Sequence, residues 1–342
     1  MPNRLSYPLH DQLLDPGQTI EVVPGVHWLK MPLPFALNHI NLWLLREERG
    51  WTVVDTGFDA EDSRALWEQL FSGAMAGLPI QRVVVTHYHP DHIGLADWLA
   101  QRFTAPFYCS LGEFASAHAA WHGLPGFDVV ALNAHFGRHG LPASKAIQYR
   151  ERGNSYRFGV KSLPVSFNRI LAGDTLAMGG VDWVTIPGYG HSPEHMALYS
   201  KEKQCLIAGD MLLPKISTNV GTWATDPDAD ALKPFLASLD RFLDLPEDTL
   251  VLPSHGRPFR GIQPRVAALH AHHQERLGAL IAAIQRPMTA FELLPVLFGR
   301  VFDLYQTMFA LAECIAHLNH LWHAGILRRQ QDADLCYRFS RV

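Results

Sequence analysis

Between positions 87 and 92 the chain concentrates three imidazoles and one carboxylate, in Thr86-His87-Tyr88-His89-Pro90-Asp91-His92. Such a group is expensive to bury unless something pairs with it. Unprotonated imidazoles and carboxylates are good ligands for zinc and similar divalent ions, so the chemistry this stretch points to is metal binding. A single histidine here would read as a surface residue; three with an aspartate do not. Just before them, Val83 to Val85 form a β-branched run that suits a short, covered strand. The cluster therefore falls where a buried strand ends.

The spacing His87-x-His89-x-Asp91-His92 resembles the HxHxDH signature of the metallo-β-lactamase superfamily of metal-dependent hydrolases. The resemblance implies further ligands downstream, and the chain has candidates in the matching order: His191 in Gly188-Tyr189-Gly190-His191-Ser192-Pro193, Asp210 in Ala208-Gly209-Asp210, and His255 in Pro253-Ser254-His255-Gly256. Each follows a strand-like apolar run: Val181 to Ile186, Cys205 to Ala208 and Leu250 to Leu252. Asp55 in Val53-Val54-Asp55-Thr56-Gly57 is similar to the family's early Asp-x-Gly turn beneath the metal loop.

By the same resemblance, His87, His89 and His191 would hold one ion, Asp91, His92 and His255 a second, and Asp210 would bridge them. Two divalent ions about 3.5–4 Å apart share a water and lower its pKa towards neutrality, which makes a bridging hydroxide available at pH 7. They also polarise a substrate carbonyl. Asp91 is the candidate catalytic group, orienting the nucleophile and helping to protonate the leaving group. Zinc is the default ion, and the mixed nitrogen and oxygen set also suits iron or manganese.

One departure from the family pattern is Glu194, which replaces the second glycine in Gly190-His191-Ser192-Pro193-Glu194-His195. It is expected to face solvent, the alternative being a cationic substrate group, and His195 is expected to be structural. Leu213 to Asn219 should follow the rim of the pocket, with Lys215 solvated. His39 and Asn41, in the loop before the second strand, lie within reach of that rim but carry no assigned role.

The elements that must position these groups follow from the apolar pattern. Ile20–Val23, Val26–Met31, Ile40–Leu45 and Trp51–Asp55 are short apolar runs between Pro or Gly turns, as in an antiparallel meander. Ala60–Phe71 and Ile93–Phe103 have helical spacing, and Pro106–Cys109 suits another strand. The β pattern returns at Ile170-Leu171, Val181–Ile186, Met196–Tyr199 and Cys205–Ala208, with Asp174 in a turn. Asp228–Leu243 reads as a helix before Leu250–Leu252. The expected fold class is α/β, and resemblance to the family implies an αββα sandwich with metals at the sheet ends.

The expected domains are a catalytic unit over residues 1–264 and a smaller C-terminal unit over 265–342. Within the first, residues 111–164 exceed the connection a compact core needs and read as a helical insertion beside the site, a candidate lid. Its His118, His122, His135, His139, Trp121, Phe127, Phe136 and Tyr149 fit helix packing one by one, and as a group are a candidate source of substrate choice. In the second, Val266–Ile284, Ala290–Phe298 and Leu304–His323 read as helices. Thr289-x-x-Glu292 forms a capping-box pattern, Asp303 caps the third helix, and Gly325 ends it. Ile326–Arg328 and Leu335–Phe339 follow as a hairpin, and this order resembles the winged-helix-like tail of some superfamily members.

Composition excludes several functions. The 342 residues can bury a substantial core; 48% are apolar and 18% charged, as in an ordinary globular protein. With 29 basic against 33 acidic residues the net charge is −4, and nothing attracts nucleic acid or an anionic membrane. From Arg265 onward there are eight Arg, no Lys and six acidic residues, weak for a phosphate-binding winged helix. Packing on the catalytic domain or dimerisation suits that tail better, with its histidines 270, 272, 273, 317, 320 and 323 at the surface or an interface. Cys109, Cys205, Cys314 and Cys336 form no CxxC pair and read as thiols of a reducing cytoplasm. Met1 to Gln18 has no apolar leader, and no run approaches the roughly 18–20 apolar residues of a membrane span.

These readings converge on a cytoplasmic dinuclear hydrolase of a small-molecule thioester or other carboxylic ester, similar to the glyoxalase-II-like branch, with lactones the neighbouring substrate class. The rivals are a metal-dependent ribonuclease, disfavoured by charge, and a metal-binding regulatory protein, for which seven ligands are more than is needed.

Overall fold

A computed structural model describes residues 5–12, 14–35, 37–299 and 302–342 of the protein. Residues 1–4, the start of the stretch read above as lacking a leader, lie outside these. The first sheet has seven strands side by side in chain order: Thr19–Val23 (β1), Val26–Pro32 (β2), His39–Glu47 (β3), Gly50–Val54 (β4), Ile80–Val84 (β5), Phe107–Cys109 (β6) and Asn168–Arg169 (β7). The meander β1 to β4 is antiparallel, and β5, β6 and β7 continue it in parallel with β4. The second sheet comprises Thr175–Met178 (β8), Val181–Gly188 (β9), His195–Ser200 (β10), Cys205–Gly209 (β11) and Leu250–Pro253 (β12). Because β10 is antiparallel to both β9 and β11, and β12 is parallel to β11, strands β9, β11 and β12 all point the same way.

The helices are Glu61–Ser72 (α1), Pro90–Ile93 (α2), Ala96–Phe103 (α3), Leu111–His122 (α4), Val129–Arg138 (α5), Ala143–Arg152 (α6), Leu232–Asp240 (α7), Ile262–Ala283 (α8), Ala290–Phe298 (α9) and Leu304–His323 (α10). A hairpin of Leu327–Gln331 (β13) and Tyr337–Arg341 (β14) ends the chain. Strand alternation sorts the side chains into layers. Along β3, Trp43 and Leu45 enter the core between the sheets, where they meet Met196, Leu198, Ile207, Leu250 and Leu252. Ile40, Leu42 and Leu44 face the other way, onto Trp67, Leu70 and Leu99 of α1 and α3. On the second sheet Leu206, Ala208 and Val251 turn outward against α7, α8 and α10. Helix, sheet, sheet, helix is the resulting order, the αββα sandwich expected from sequence.

Several elements differ from their sequence readings. The single helix expected over Ile93–Phe103 is two, α2 and α3. Gly94 lies so close to the carbonyls of Pro90, Gly57 and Gly159 that no Cβ would fit, and the Leu95 N–H is taken by the Thr56 hydroxyl at 3.1 Å. The helix expected over Asp228–Leu243 shrinks to α7. Strand β8 and helix α6 had no strong pattern: α6 is largely polar and docks through one buried residue, Tyr149, whose hydroxyl donates to Leu304 O at 2.7 Å. Helix α8 begins at Ile262, four residues before the helix expected over Val266–Ile284, so the expected boundary between residues 264 and 265 lies in its first turn. The Thr289 and Glu292 capping box forms in both directions, and Asp303 caps α10 through Gln306 N.

The tail packs on the catalytic half. Side chains of α8, α9 and α10 share one core with the outer face of the second sheet and with Phe136, Leu141 and Tyr149 of the insertion. Of the insertion groups singled out, Phe136, Tyr149, His135 and His139 are buried in this packing, and His118 bonds Pro164 O at 3.0 Å. All four cysteines are free thiols. Among the described residues no helix is long and apolar enough to cross a membrane.

Candidate metal centre

The carboxyl ends of β4, β5, β9, β11 and β12 lead into loops carrying Asp55, His87 to His92, His191, Asp210 and His255 respectively. The structure brings all seven residues of the expected ligand set together, in three overlapping groups: His87, His89 and His191; His87, His92 and Asp210; and Asp91, His92 and His255. His87 Nε2 lies 3.0 Å from His89 Nδ1 and 3.2 Å from His191 Nε2. His255 Nε2 is 3.4 Å from both Asp91 Oδ2 and Asp210 Oδ1. Asp210 faces both sides, with Oδ2 3.4 Å from His191 Nε2 and Oδ1 3.6 Å from His92 Nε2.

The electrostatics divide the cluster in two. Burial, followed by the neighbouring imidazoles, drives the His87 pKa well below its ordinary value and that of His89 to about 3. Both are therefore neutral, with ring nitrogens 3.0 Å apart. On the other side burial opposes charge but is outweighed: Asp55, Asp91 and Asp210 hold His92 well above its usual range, and Asp210 and Asp91 hold His255 at about 10. Asp210 lies well below the usual carboxylate range, because His255 and His92 overcome its burial. His92 Nε2 and Asp210 Oδ1 are buried without a hydrogen-bond partner. Ring nitrogens and carboxylate oxygens that converge in this way, with His92 Nε2 and Asp210 Oδ1 left without a hydrogen-bond partner, are what a cation taking the place of protons would complete, so this donor set fits divalent metal.

A network of supports aims these groups. Asp55, at a left-handed φ of 60° after β4, accepts from Thr86 N at 2.8 Å and from His92 Nδ1 at 2.8 Å. His255 Nδ1 donates to His39 O at 2.9 Å, and His191 Nδ1 to Asn219 O at 2.7 Å. Asn41, on β3, is fully buried; its amide donates to Pro253 O and Gly256 O at 2.8 and 2.7 Å, locking the His255 loop to the first sheet. Gly209 has a φ of 53°, and a Cβ there would stand 2.1 Å from His195 Nε2, which itself accepts from Asp210 N. His195 is thus structural, as expected. Lys215 is exposed, as expected.

Glu194 is half-buried and is not free in solvent as expected. Its Oε2 accepts from Gly112 N at 2.9 Å, so it caps the first turn of α4 instead of a substrate. Beside it lies a residue that sequence reasoning passed over. Glu113 is fully buried, and its Oε2 accepts from Tyr88 N at 2.8 Å, while Oε1 accepts from Ser192 Oγ at 2.7 Å and Glu194 N at 2.6 Å. One carboxylate thereby ties the His87 and His89 loop to the His191 loop. Burial pushes its pKa up to about 7 against the pull of those donors. The sequence signal was Ser110-x-x-Glu113, a capping-box pattern; the Ser110 half forms, but the glutamate side chain is drawn to the loops.

The tail reaches the centre along one face of α10. The hydroxyl of Tyr305 is raised to about 12, by burial and then by the Asp91 charge nearby. One turn on, Phe309 O accepts from Asn219 Nδ2 at 3.3 Å, and one turn further Glu313 Oε2 accepts from the same amide at 2.8 Å. Tyr305 stacks on Phe35 at 6.0 Å, Phe35 meets Phe58 edge-on at 5.5 Å, and the Arg152 guanidinium lies 5.1 Å from the Tyr305 ring centre.

Comparison with known proteins agrees with this geometry. The family described as "Metallo-beta-lactamase superfamily" matches residues 37–255, and "Metallo-beta-lactamase-like, C-terminal domain" matches residues 277–342. The crystal structure of a beta-lactamase domain protein from Burkholderia ambifaria is similar at a TM-score of 0.92 and 44% identity, covering 99% of this chain and 98% of that one. A probable metallo-hydrolase of Bacillus subtilis, YqjP, is 26% identical over 301 residues, 86% of this chain and 91% of its own. A hydroxyacylglutathione hydrolase of Aeromonas hydrophila is 27% identical over 247 residues, 72% of this chain and 73% of its own.

Proposed function

The chain belongs to the metallo-beta-lactamase superfamily of metal-dependent hydrolases, and from that premise we propose that it hydrolyses a small thioester or other carboxylic ester in the cytoplasm. The observation that carries this reading is the convergence of seven donors, from loops of both sheets, with Asp210 facing both groups. His87, His89 and His191 would hold one ion and Asp91, His92 and His255 the other, with Asp210 shared and zinc the default at each. When bound, such ions supply Lewis acidity and an acidified water at neutral pH.

The remaining work falls to the chain's own groups. Asp91 Oδ2 faces His255, yet its side chain keeps 16% of its exposure, more than Asp210 or the buried histidines beside it. It takes the proton of the attacking water and returns it to the leaving thiol or alcohol as the acyl bond breaks. Phe35, Phe58 and Tyr305 form an apolar wall against which an acyl chain can exclude water. The relative named for an acylglutathione supports the thioester.

Metal content per chain, measured by elemental analysis beside a panel of thioesters, esters, lactones and RNA, tests the proposal. The expected result is about two ions per chain with turnover of a thioester or ester. RNA cleavage alone would replace it with the nuclease, and a folded sample free of metal would end it.

Arg152 is exposed, and its ring contacts with Phe158 and Tyr305 are accompanied by no hydrogen bond or ion pair among the described residues. It is therefore available to a substrate carboxylate. Arg152→Gln is expected to raise KM about fivefold for acyl substrates bearing a carboxylate, the scale of an exposed ion pair, and to leave neutral esters unchanged. Steady-state kinetics on a matched pair of esters read the difference.

A further inference from the structure

We propose that Glu313, on the tail helix α10, is a positioning residue for His191, acting through Asn219. The inference rests on the reading of His191 as a metal ligand. His191 Nδ1 donates to Asn219 O at 2.7 Å, which fixes the ring and turns Nε2 towards His87 Nε2 and Asp210 Oδ2. The nitrogen away from the metal normally sets the orientation of a ligating imidazole. What sets Asn219 is the tail: its side-chain amide donates to Glu313 Oε2 at 2.8 Å and to Phe309 O at 3.3 Å. The same short segment is tied at one end to Asp210, whose carbonyl accepts from the Thr218 hydroxyl, and at the other to α10, where Thr222 N donates to Ala312 O at 3.1 Å.

A buried carboxylate is costly to keep without partners. Glu313 lies inside α10 with Oε1 lacking a hydrogen bond, and the nearest cation among the described residues, Arg276, is 4.0 Å away with its own NH1 donating to Leu297 O. The hydrogen bond of the Glu313 carboxylate goes across the domain junction, to Asn219. A space-filling role would be met as well by an apolar side chain. A hydrogen bond aimed at the residue that holds His191 is not. It follows that the tail is part of the metal centre: the ion held by His87, His89 and His191 depends on α10 being docked.

The test uses the full chain stripped of metal and titrated with zinc against a chelator of known affinity, with unfolding of the metal-free protein followed in parallel. Glu313→Ala is expected to weaken the ion of the His87, His89 and His191 group about 10-fold, the lower end of the usual cost of losing a partner behind a metal ligand, because Glu313 stands one residue further back. Glu313→Gln, whose amide oxygen can still accept from Asn219, should recover most of the affinity. Asn219→Ala keeps the main-chain carbonyl and breaks the link, so it should reproduce the loss with the tail untouched, and the double variant should be no worse than either single one. Glu275→Ala, on the exposed side of the tail, is the control and should bind as wild type. Unchanged affinity in Glu313→Ala and Asn219→Ala, or additive losses in the double variant, would overturn the proposal. Should Glu313→Ala not fold, the comparison of Asn219→Ala with Glu313→Gln decides it. A wild-type chain that takes up no metal would instead remove the metal centre itself, and this inference with it.

Discussion

Asp210→Ala is expected to leave a folded protein that has lost essentially all hydrolytic activity and retains at most one ion per chain. Asp210 is the one carboxylate in the cluster that faces both groups, with Oδ2 3.4 Å from His191 and Oδ1 3.4 Å from His255 and 3.6 Å from His92. Its removal therefore strips an oxygen donor from each side at once. The loss should exceed the roughly 10–100-fold cost of a residue standing one shell behind the metal. The fold should survive because the structural bonds of this residue run through its backbone: its N–H donates to His195 Nε2, and its carbonyl accepts from Thr218. The buried histidines opposite it keep Asp55 and Asp91 as counter-charges. Elemental analysis, circular dichroism and kcat/KM on one preparation separate these effects. A variant with wild-type turnover would remove Asp210 from the reaction and with it the two-ion arrangement.

The parts of the site legible in sequence were those whose chemistry is local. Four potential ligands within six residues, just past a β-branched strand, mark a metal loop before any folding is considered, and Asp55 is betrayed by its turn. Apolar runs between Pro and Gly turns likewise marked most of the strands, while the sandwich itself was implied by the family resemblance. What could not be read were partners distant in sequence whose bonds go to main chain. Glu113 binds two backbone N–H groups and one hydroxyl, 25 to 81 residues away, and nothing in the composition of those targets distinguishes them. Asn41 likewise reaches a carbonyl 212 residues away, and Glu313, though its partner is the Asn219 side chain, acts over 94. Glu194 was misjudged for the same reason: its target, a glycine N–H at the start of α4, has no side chain to advertise it. The tail histidines were read as surface or interface groups, and His273 and His317 prove to be fully buried between α8 and α10, bonded to each other at 3.0 Å, because α10 is enclosed on nearly all sides. Enclosure of a helix is a property of what packs around it, which periodicity within the helix does not report.

Glu113→Ala should be the most disruptive change outside the ligand set. The alanine leaves Tyr88 N, Ser192 Oγ and Glu194 N without their acceptor in a fully buried place, and each unpaired donor costs about 1–3 kcal/mol. Because the loops relax and share the strain, the combined loss of stability is expected at roughly 3–5 kcal/mol. The same two loops carry His87 and His89 on one side and His191 on the other, so activity should fall about 10–100-fold even where the protein remains folded. Glu113→Gln separates the two consequences. It preserves volume, but its NH2 group must face a donor where an oxygen accepted before, so one loop stays fastened and the other is repelled. Its stability should therefore lie between wild type and alanine, with metal affinity for the His87, His89 and His191 group reduced. Glu194→Gln provides the contrast: its amide oxygen can still accept from Gly112 N, and little should change. Urea unfolding of the metal-free proteins, with zinc affinity measured alongside, checks the order. Glu113→Ala unfolding at the wild-type midpoint would mean that the two loops hold their places without it, and that the carboxylate between them is a consequence of the site's architecture and not a cause.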